Sequence, residues 1–202
     1  MTSSKKSDRG ERVGILGGTF NPPHIAHLVA AEAVRDQLKL DRILFIPAAA
    51  PPHKTNIEII PAEQRLQMVK LAIKDNSHFE VSDIELNRKG PSYTIDTIID
   101  LKQKFPEEAF YLLLGVDLLV EFDTWKNPEK ILDECTLVAM NRPGFDIGMV
   151  EKKLLRSVVV VDVPGIDVSS SNIRRYLKSR RSIKYLVPRE VEKYISENSI
   201  YW

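Results

Sequence analysis

Short apolar runs alternate along the chain with longer stretches in which apolar residues recur at helical spacing. The short runs predict strands at Val13–Leu16, Arg42–Ile46, Phe79–Ser82, Phe110–Leu114, Leu137–Met140 and Val158–Val161. Several are almost continuous Val, Ile and Leu, the pattern of strands covered on both faces of a parallel sheet. Helical periodicity predicts helices at Ile25–Leu38, Ala62–Asp75, Thr94–Lys104 and Pro128–Asp133, and Pro188–Trp202 reads as a last helix and tail. This alternation predicts an α/β fold, a doubly wound parallel sheet in a single domain with a small C-terminal helical part. Ligands of such sheets bind beyond the carboxyl ends of the strands, near a switch in strand order.

Two connections stand out. The segment Pro47–Pro61 holds four prolines and is too long for a routine link. It reads either as an irregular surface loop or as a lid carrying His53 and Lys54 over a ligand. The stretch Val163-Pro-Gly-Ile-Asp-Val-Ser-Ser-Ser171 leads into a helical pattern from Asn172. Residues 1–11 are polar and mixed in charge and read as a frayed tail without a signal-peptide core, which leaves residues 12–202 as the domain.

Composition narrows the partners. A chain of 202 residues, 43% apolar and 28% charged, is long enough for one well-packed core. A net charge of +1 argues against a surface devoted to nucleic acid or to anionic membrane. A polyanionic ligand must therefore be held by a local cluster of donors. No run approaches the ~18 apolar residues of a membrane span, so the expectation is a cytoplasmic protein. The single cysteine, Cys135, cannot form an internal disulfide and reads as a buried structural thiol. Oligomeric state is not written in the sequence, and a homo-oligomer stays open.

The chemistry concentrates in Gly14-Ile-Leu-Gly-Gly-Thr-Phe-Asn-Pro-Pro-His-Ile-Ala-His27. A strand ends in glycines and prolines, and a helix begins at once. Such a turn offers backbone N–H groups at a helix N-terminus, where the macrodipole favours a phosphate. His24 and His27, three apart, point to roughly one side of the first turn. The turn is not a P-loop, because no Gly-Lys-Ser/Thr follows, and its glycine spacing is not G-x-G-x-x-G. Zinc would need more ligands than two histidines, and no HExxH or cysteine cluster supplies them, so no protein metal site is expected. Capping or packing histidines remain the plain alternative.

A second candidate is Ser169-Ser-Ser-Asn-Ile-Arg174. Ser171 is placed to cap a helix beginning near Asn172, and Arg174, one turn in, can fold back toward that anion-favouring end. In the middle of the chain, Ser92-Tyr-Thr-Ile-Asp-Thr97 reads as a helix start capped by Ser92 or Thr94. Gly115-Val-Asp117 follows a strand and so lies at the ligand-binding edge. Trp125, in a polar stretch, either covers the core or stacks on a flat ring.

The first motif resembles the Gly-Gly-Thr-Phe-Asp/Asn-Pro-x-His-x-Gly-His signature of the nucleotidyltransferases with a Rossmann-like fold. Ala26 stands where that signature has glycine. Val168-Ser-Ser-Ser-Asn-Ile-Arg174 resembles their Ile-Ser-Ser-Thr-x-Ile-Arg motif, with Ser171 keeping the hydroxyl of the threonine. Ser92–Thr97, Gly115-x-Asp117, Trp125, Pro52-His-Lys54 and Asn141-Arg-Pro-Gly144 together resemble the bacterial nicotinate-nucleotide adenylyltransferases, from about Val13 to the end of the chain. That resemblance implies adenylyl transfer from ATP to nicotinate mononucleotide, with Mg²⁺ accompanying ATP. It implies that Gly17, Gly18, Thr19 and Phe20 orient the phosphates, and that His24 and His27 stabilise charge at the transition state. Ser171 and Arg174 would hold the β- and γ-phosphates, Gly115 and Asp117 would lie against the nucleotide, and Asp117 would bind ribose hydroxyls. Thr94 and Trp125 would meet the pyridine ring, and Lys54 the acceptor's phosphate. Nicotinamide mononucleotide or phosphopantetheine as acceptor, and a non-catalytic nucleotide sensor on the same fold, are the rival readings.

Overall fold

The computed structural model describes residues 10–50, 59–141 and 147–201. Six strands form one parallel sheet: β1 (Arg12–Gly18), β2 (Arg42–Pro47), β3 (Phe79–Val81), β4 (Ala109–Gly115), β5 (Thr136–Asn141) and β6 (Val158–Asp162). Their order is β3-β2-β1-β4-β5-β6, so the chain leaves β1 in one direction and returns on its other side at β4. The seam between β1 and β4 is thus the switch point at which such sheets bind ligands. Register fixes it: Val13 and Ile15 of β1 lie opposite Phe110 and Leu112 of β4.

Alternation along each strand divides the core. Val13 and Ile15 of β1, Leu44 and Ile46 of β2, and Leu112 and Leu114 of β4 face α3 (Thr94–Lys104) and α5 (Pro128–Glu134). Leu16, Ile43, Phe45 and Leu113 face the opposite way, against α1 (Ile25–Leu38) and α2 (Ala62–Ile73). A third cluster joins Met68 of α2 to Ile173 and Leu177 of α7 (Ser170–Lys178) and to Val191 and Ile195 of α8 (Arg189–Glu197). This is the expected C-terminal helical part, and it seals one side of α2 rather than standing apart. Two short helices, α4 (Val116–Val120) and α6 (Lys152–Leu155), are too brief for periodicity to reveal them.

The frame is tied at its amino end. The Arg42 guanidinium makes ion pairs with Glu11 at 2.9 Å, Glu80 at 2.8 Å and Glu108 at 2.6 Å, bridging β2 to its neighbours. The Glu11 carbonyl also accepts the Ala109 N–H at 2.8 Å, so the last residue of the stretch expected to fray is tied to β4. Residues 1–9 lie outside the described residues, as do His53 and Lys54.

Cys135 sits just before β5, half-buried, with its thiol donating to the Ile131 carbonyl. Burial pushes that thiol up to about 12, which agrees with a structural role.

Candidate active site

β1 ends at Gly18, and α1 starts at Ile25, so the signature turn spans only six residues between them. Phe20 takes a left-handed backbone with φ of 48°, and the Asn21–Pro22 peptide is cis. His24 is the N-cap of α1 with extended backbone. Its N–H donates to Nδ1 of His27 at 3.1 Å. The two imidazoles stack at 3.6 Å between centroids and 23°, and Phe20 packs edge-on against His27 at 5.1 Å. With Nδ1 of His27 used as an acceptor, the ring proton sits on Nε2, where it is a donor.

The second motif docks on this turn from the far end of the sequence. Ser170 Oγ donates to the Pro22 carbonyl at 2.7 Å, and the Arg174 guanidinium donates to the Asn21 carbonyl at 2.7 Å and to Ser171 Oγ at 3.1 Å. Arg174 does fold back along the first turn of α7. The cap, however, is Ser169, whose hydroxyl accepts the Asn172 N–H at 3.2 Å. Ser171 is already inside the helix. The helix begins two residues earlier than expected because Ser169 keeps the extended backbone a cap requires. Ser171 is thereby released from capping and turns its hydroxyl to Arg174.

A cavity of about 400 Å³ opens between these two helix ends. Gly17, Gly18, Thr19 and Phe20 form its floor, His24 and His27 one wall, and Ser171 and Arg174 another. Gly115 and Asp117, at the carboxyl end of β4, complete it, so every residue assigned to the nucleotide lines one space. A side chain at Gly17 would meet no protein atom within 4 Å and would instead fill the cavity. Ala26 also lines it, so its methyl faces the ligand space. Among the described residues, Asp117 is the one carboxylate in the lining, and no group of three metal-ligating side chains forms.

A second cavity of about 240 Å³ lies on the other side of the β1 end and shares Gly17, Gly18 and Thr19 with the first. Tyr93, Thr94 and Trp125 line it, so Thr94 and Trp125 are brought together in one space. Ser92 and Thr94 do not cap α3; its N-cap is Tyr93, without a side-chain cap bond. Ser92 instead accepts the N–H groups of Ala49 and Ala50 at 3.1 and 3.2 Å, pinning the start of the proline-rich segment. The α3 N-terminus is consequently left for the cavity. Lys126 Nζ lies at the rim, 4.5 Å over the Tyr93 ring and paired with Asp96 at 2.9 Å.

Sequence reasoning passed over three buried polar groups here. Arg65 of α2 is 1% exposed, and its guanidinium donates to the carbonyls of Ile60, Thr19 and Ala49 at 3.1, 2.9 and 3.3 Å. Desolvation holds its affinity for the proton below the usual arginine range. Tyr201 donates to Asn21 Oδ1 at 2.7 Å, and burial pushes its phenol up. Glu85 is buried beside the second cavity. Arg65 and Glu85 look like ordinary surface charges in a one-dimensional pattern, and only Asn21 carries a signal, its place in the signature.

Known proteins agree with this arrangement. A family profile described as cytidylyltransferase-like matches residues 15–176. A relative from Exiguobacterium sibiricum, named "probable nicotinate-nucleotide adenylyltransferase", is 44% identical over 190 residues, covering 94% of this chain and 98% of the relative. One of the same name from Thermus thermophilus is 42% identical, covering 94% and 99%. In fold, the chain matches a nicotinic acid mononucleotide adenylyltransferase from Plasmodium falciparum, solved in complex with NaAD. The TM-score is 0.79 at 20% identity, over 95% of this chain and 97% of that one. With matches of this extent and identity, the chain belongs to the cytidylyltransferase-like family and, within it, to the nicotinate-nucleotide adenylyltransferases.

Proposed function

We propose that the protein transfers the adenylyl group of MgATP to nicotinate mononucleotide, giving deamido-NAD and pyrophosphate. The observation that carries this reading is the shared wall: two ligand-sized cavities meet at Gly17-Gly18-Thr19, on either side of the β1 end. One donor nucleotide and one acceptor nucleotide fit that plan, with their phosphates meeting at the glycines.

The triphosphate lies between the N-termini of α1 and α7, where helix dipoles and N–H groups favour anions. The acceptor's phosphate monoester is already an anion at neutral pH. It attacks the α-phosphorus in line, and pyrophosphate leaves toward Ser171 and Arg174. No general base is required, so catalysis is positioning plus charge stabilisation. The Nε2–H of His27 donates to the α-phosphate oxygens as charge builds there, and His24 stacks behind to fix the ring. Mg²⁺ bound with ATP would supply positive charge against the phosphates, held mostly by phosphate and water oxygens rather than by protein side chains. In the second cavity the pyridine ring lies by Trp125, and its carboxylate meets the open N-terminus of α3 at Thr94. Lys54, a candidate for the acceptor's phosphate, lies outside the described residues.

The test is pyrophosphate release with ATP and Mg²⁺, comparing nicotinate mononucleotide, nicotinamide mononucleotide and phosphopantetheine. Preference for the nicotinate acceptor supports the reading. Turnover with another acceptor replaces the substrate, and ATP binding without turnover replaces the enzyme by a sensor.

A further inference from the structure

The acceptor-side cavity contains a buried carboxylate with one oxygen unbonded among the described residues. Glu85 is 8% exposed and lines this cavity together with Tyr93, Thr94 and Trp125. Its Oε1 accepts the Thr97 hydroxyl at 2.8 Å, while Oε2 is buried and has no hydrogen-bond partner among the described residues. Among the described residues the neighbouring cations spend their hydrogen bonds on other partners, and Arg65 acts on Glu85 only through space. Arg88 donates to Asp100 at 2.7 Å and to Thr97 Oγ1 at 3.0 Å. Arg65 is spent on the three carbonyls of Ile60, Thr19 and Ala49. Lys126 is held by both oxygens of Asp96, at 3.2 and 2.9 Å.

Burying a carboxylate without a partner is costly, and folded proteins tolerate it chiefly where a ligand supplies the missing charge. The proposed acceptor brings one. Its ring nitrogen is bonded to ribose, so the ring is a quaternary pyridinium whose positive charge no pH can remove. The cavity already offers the indole of Trp125 to such a cation.

We propose that Glu85 is the counter-charge of the acceptor's pyridinium ring, a specificity-determining residue that admits the quaternised ring and discriminates against rings of the same shape without the charge. The inference rests on the acceptor reading given above. Glu85 repels the ring's own carboxylate, so it also favours the orientation in which that carboxylate points away, toward the N-terminus of α3. The two ends of the cavity thus read the two charges of one zwitterionic ring.

The experiment compares two acceptors in the wild type and in Glu85→Gln. One is nicotinate mononucleotide. The other is the 5′-phosphate of the benzoic acid C-riboside, in which carbon replaces the ring nitrogen and the ring is neutral. Glutamine keeps the shape and can still accept from Thr97. The wild type is expected to prefer the pyridinium in kcat/KM by on the order of 10–100-fold, the range of a desolvated charge pair. Glu85→Gln should raise KM for nicotinate mononucleotide, leave kcat nearly unchanged and collapse the preference to within a few-fold. Without ligand, Glu85→Gln should melt no lower than the wild type, because it removes a buried carboxylate whose Oε2 has no hydrogen bond among the described residues. Equal losses on both acceptors, a wild type indifferent to ring charge, or a variant that fails to fold would each overturn the proposal. Absence of wild-type turnover with nicotinate mononucleotide would instead overturn the acceptor reading itself.

Discussion

Tyr201 and Asn21, 180 positions apart, are joined by a 2.7 Å hydrogen bond from the phenol to the side-chain carbonyl. Asn21 is 2% exposed, and its backbone carbonyl is held at the same distance by Arg174. The turn that presents the glycines and histidines is therefore gripped by two residues from the far end of the chain. Its geometry depends on the C-terminal helices being docked.

Tyr201→Phe removes one donor to a buried amide without changing shape. The expected cost is about 1 kcal/mol of stability, accompanied by a rise in KM for ATP larger than any rise for the acceptor. Denaturant titration and steady-state kinetics check both parts. An unchanged KM for ATP would detach this bond from the nucleotide site.

His27→Ala should lower kcat by about a hundredfold or more, as loss of a transition-state donor does, with a smaller change in KM. Circular dichroism must show the variant folded. A folded variant of near-normal turnover would remove His27 from the chemistry.

Arg65→Leu leaves three half-buried carbonyls without their donor. Bonds from a charged donor contribute about 1.5–3 kcal/mol each when lost singly. They share one side chain here, so about 3 kcal/mol in total is the expected destabilisation, read by the denaturation midpoint. Because Arg65 also fixes the Thr19 carbonyl between the two cavities, KM should rise for both substrates.

Ala26→Gly restores the glycine of the nucleotidyltransferase signature. Ala26 lies in the first turn of α1, so the change should cost about 0.5–1 kcal/mol in helix stability. Its methyl faces the nucleotide cavity, so KM for ATP should fall by a few-fold. A lower melting temperature with tighter ATP binding is the signature to look for.

Cys135 should react slowly with iodoacetamide at pH 8 and rapidly once urea unfolds the chain. Its thiol pKa is raised by burial from 9.0 to about 12, so the folded protein holds it protonated. A raised folded value means the stabilisation is fully present below about pH 9 and is lost as pH climbs toward 12.

Much of this was legible in one dimension. The six strands lie within a few residues of the apolar runs, and α1 and α3 have the bounds their periodicity predicts, because strands covered on both faces and amphipathic helices each leave a strong periodic trace. The residues proposed to bind phosphate were legible because turn geometry demands glycine and a helix start in fixed order. What was not legible depends on tertiary contacts. The choice of Ser169 over Ser171 as the cap turns on one residue's extended backbone. The diversion of Ser92 to Ala49 and Ala50 depends on where another loop passes. Arg65 and Glu85 face inward on segments where a charge ordinarily signals solvent. No local pattern distinguishes a buried charge from an exposed one.

The two cavities share Gly17, Gly18 and Thr19 as a common wall, and this has a kinetic corollary. The dinucleotide formed there straddles the wall and fills both halves at once. It should behave as a competitive inhibitor toward ATP and toward the acceptor alike, whereas pyrophosphate obstructs only the ATP side. Turnover then waits on one molecule leaving two places together, and accumulated product can throttle the enzyme without any separate regulatory site.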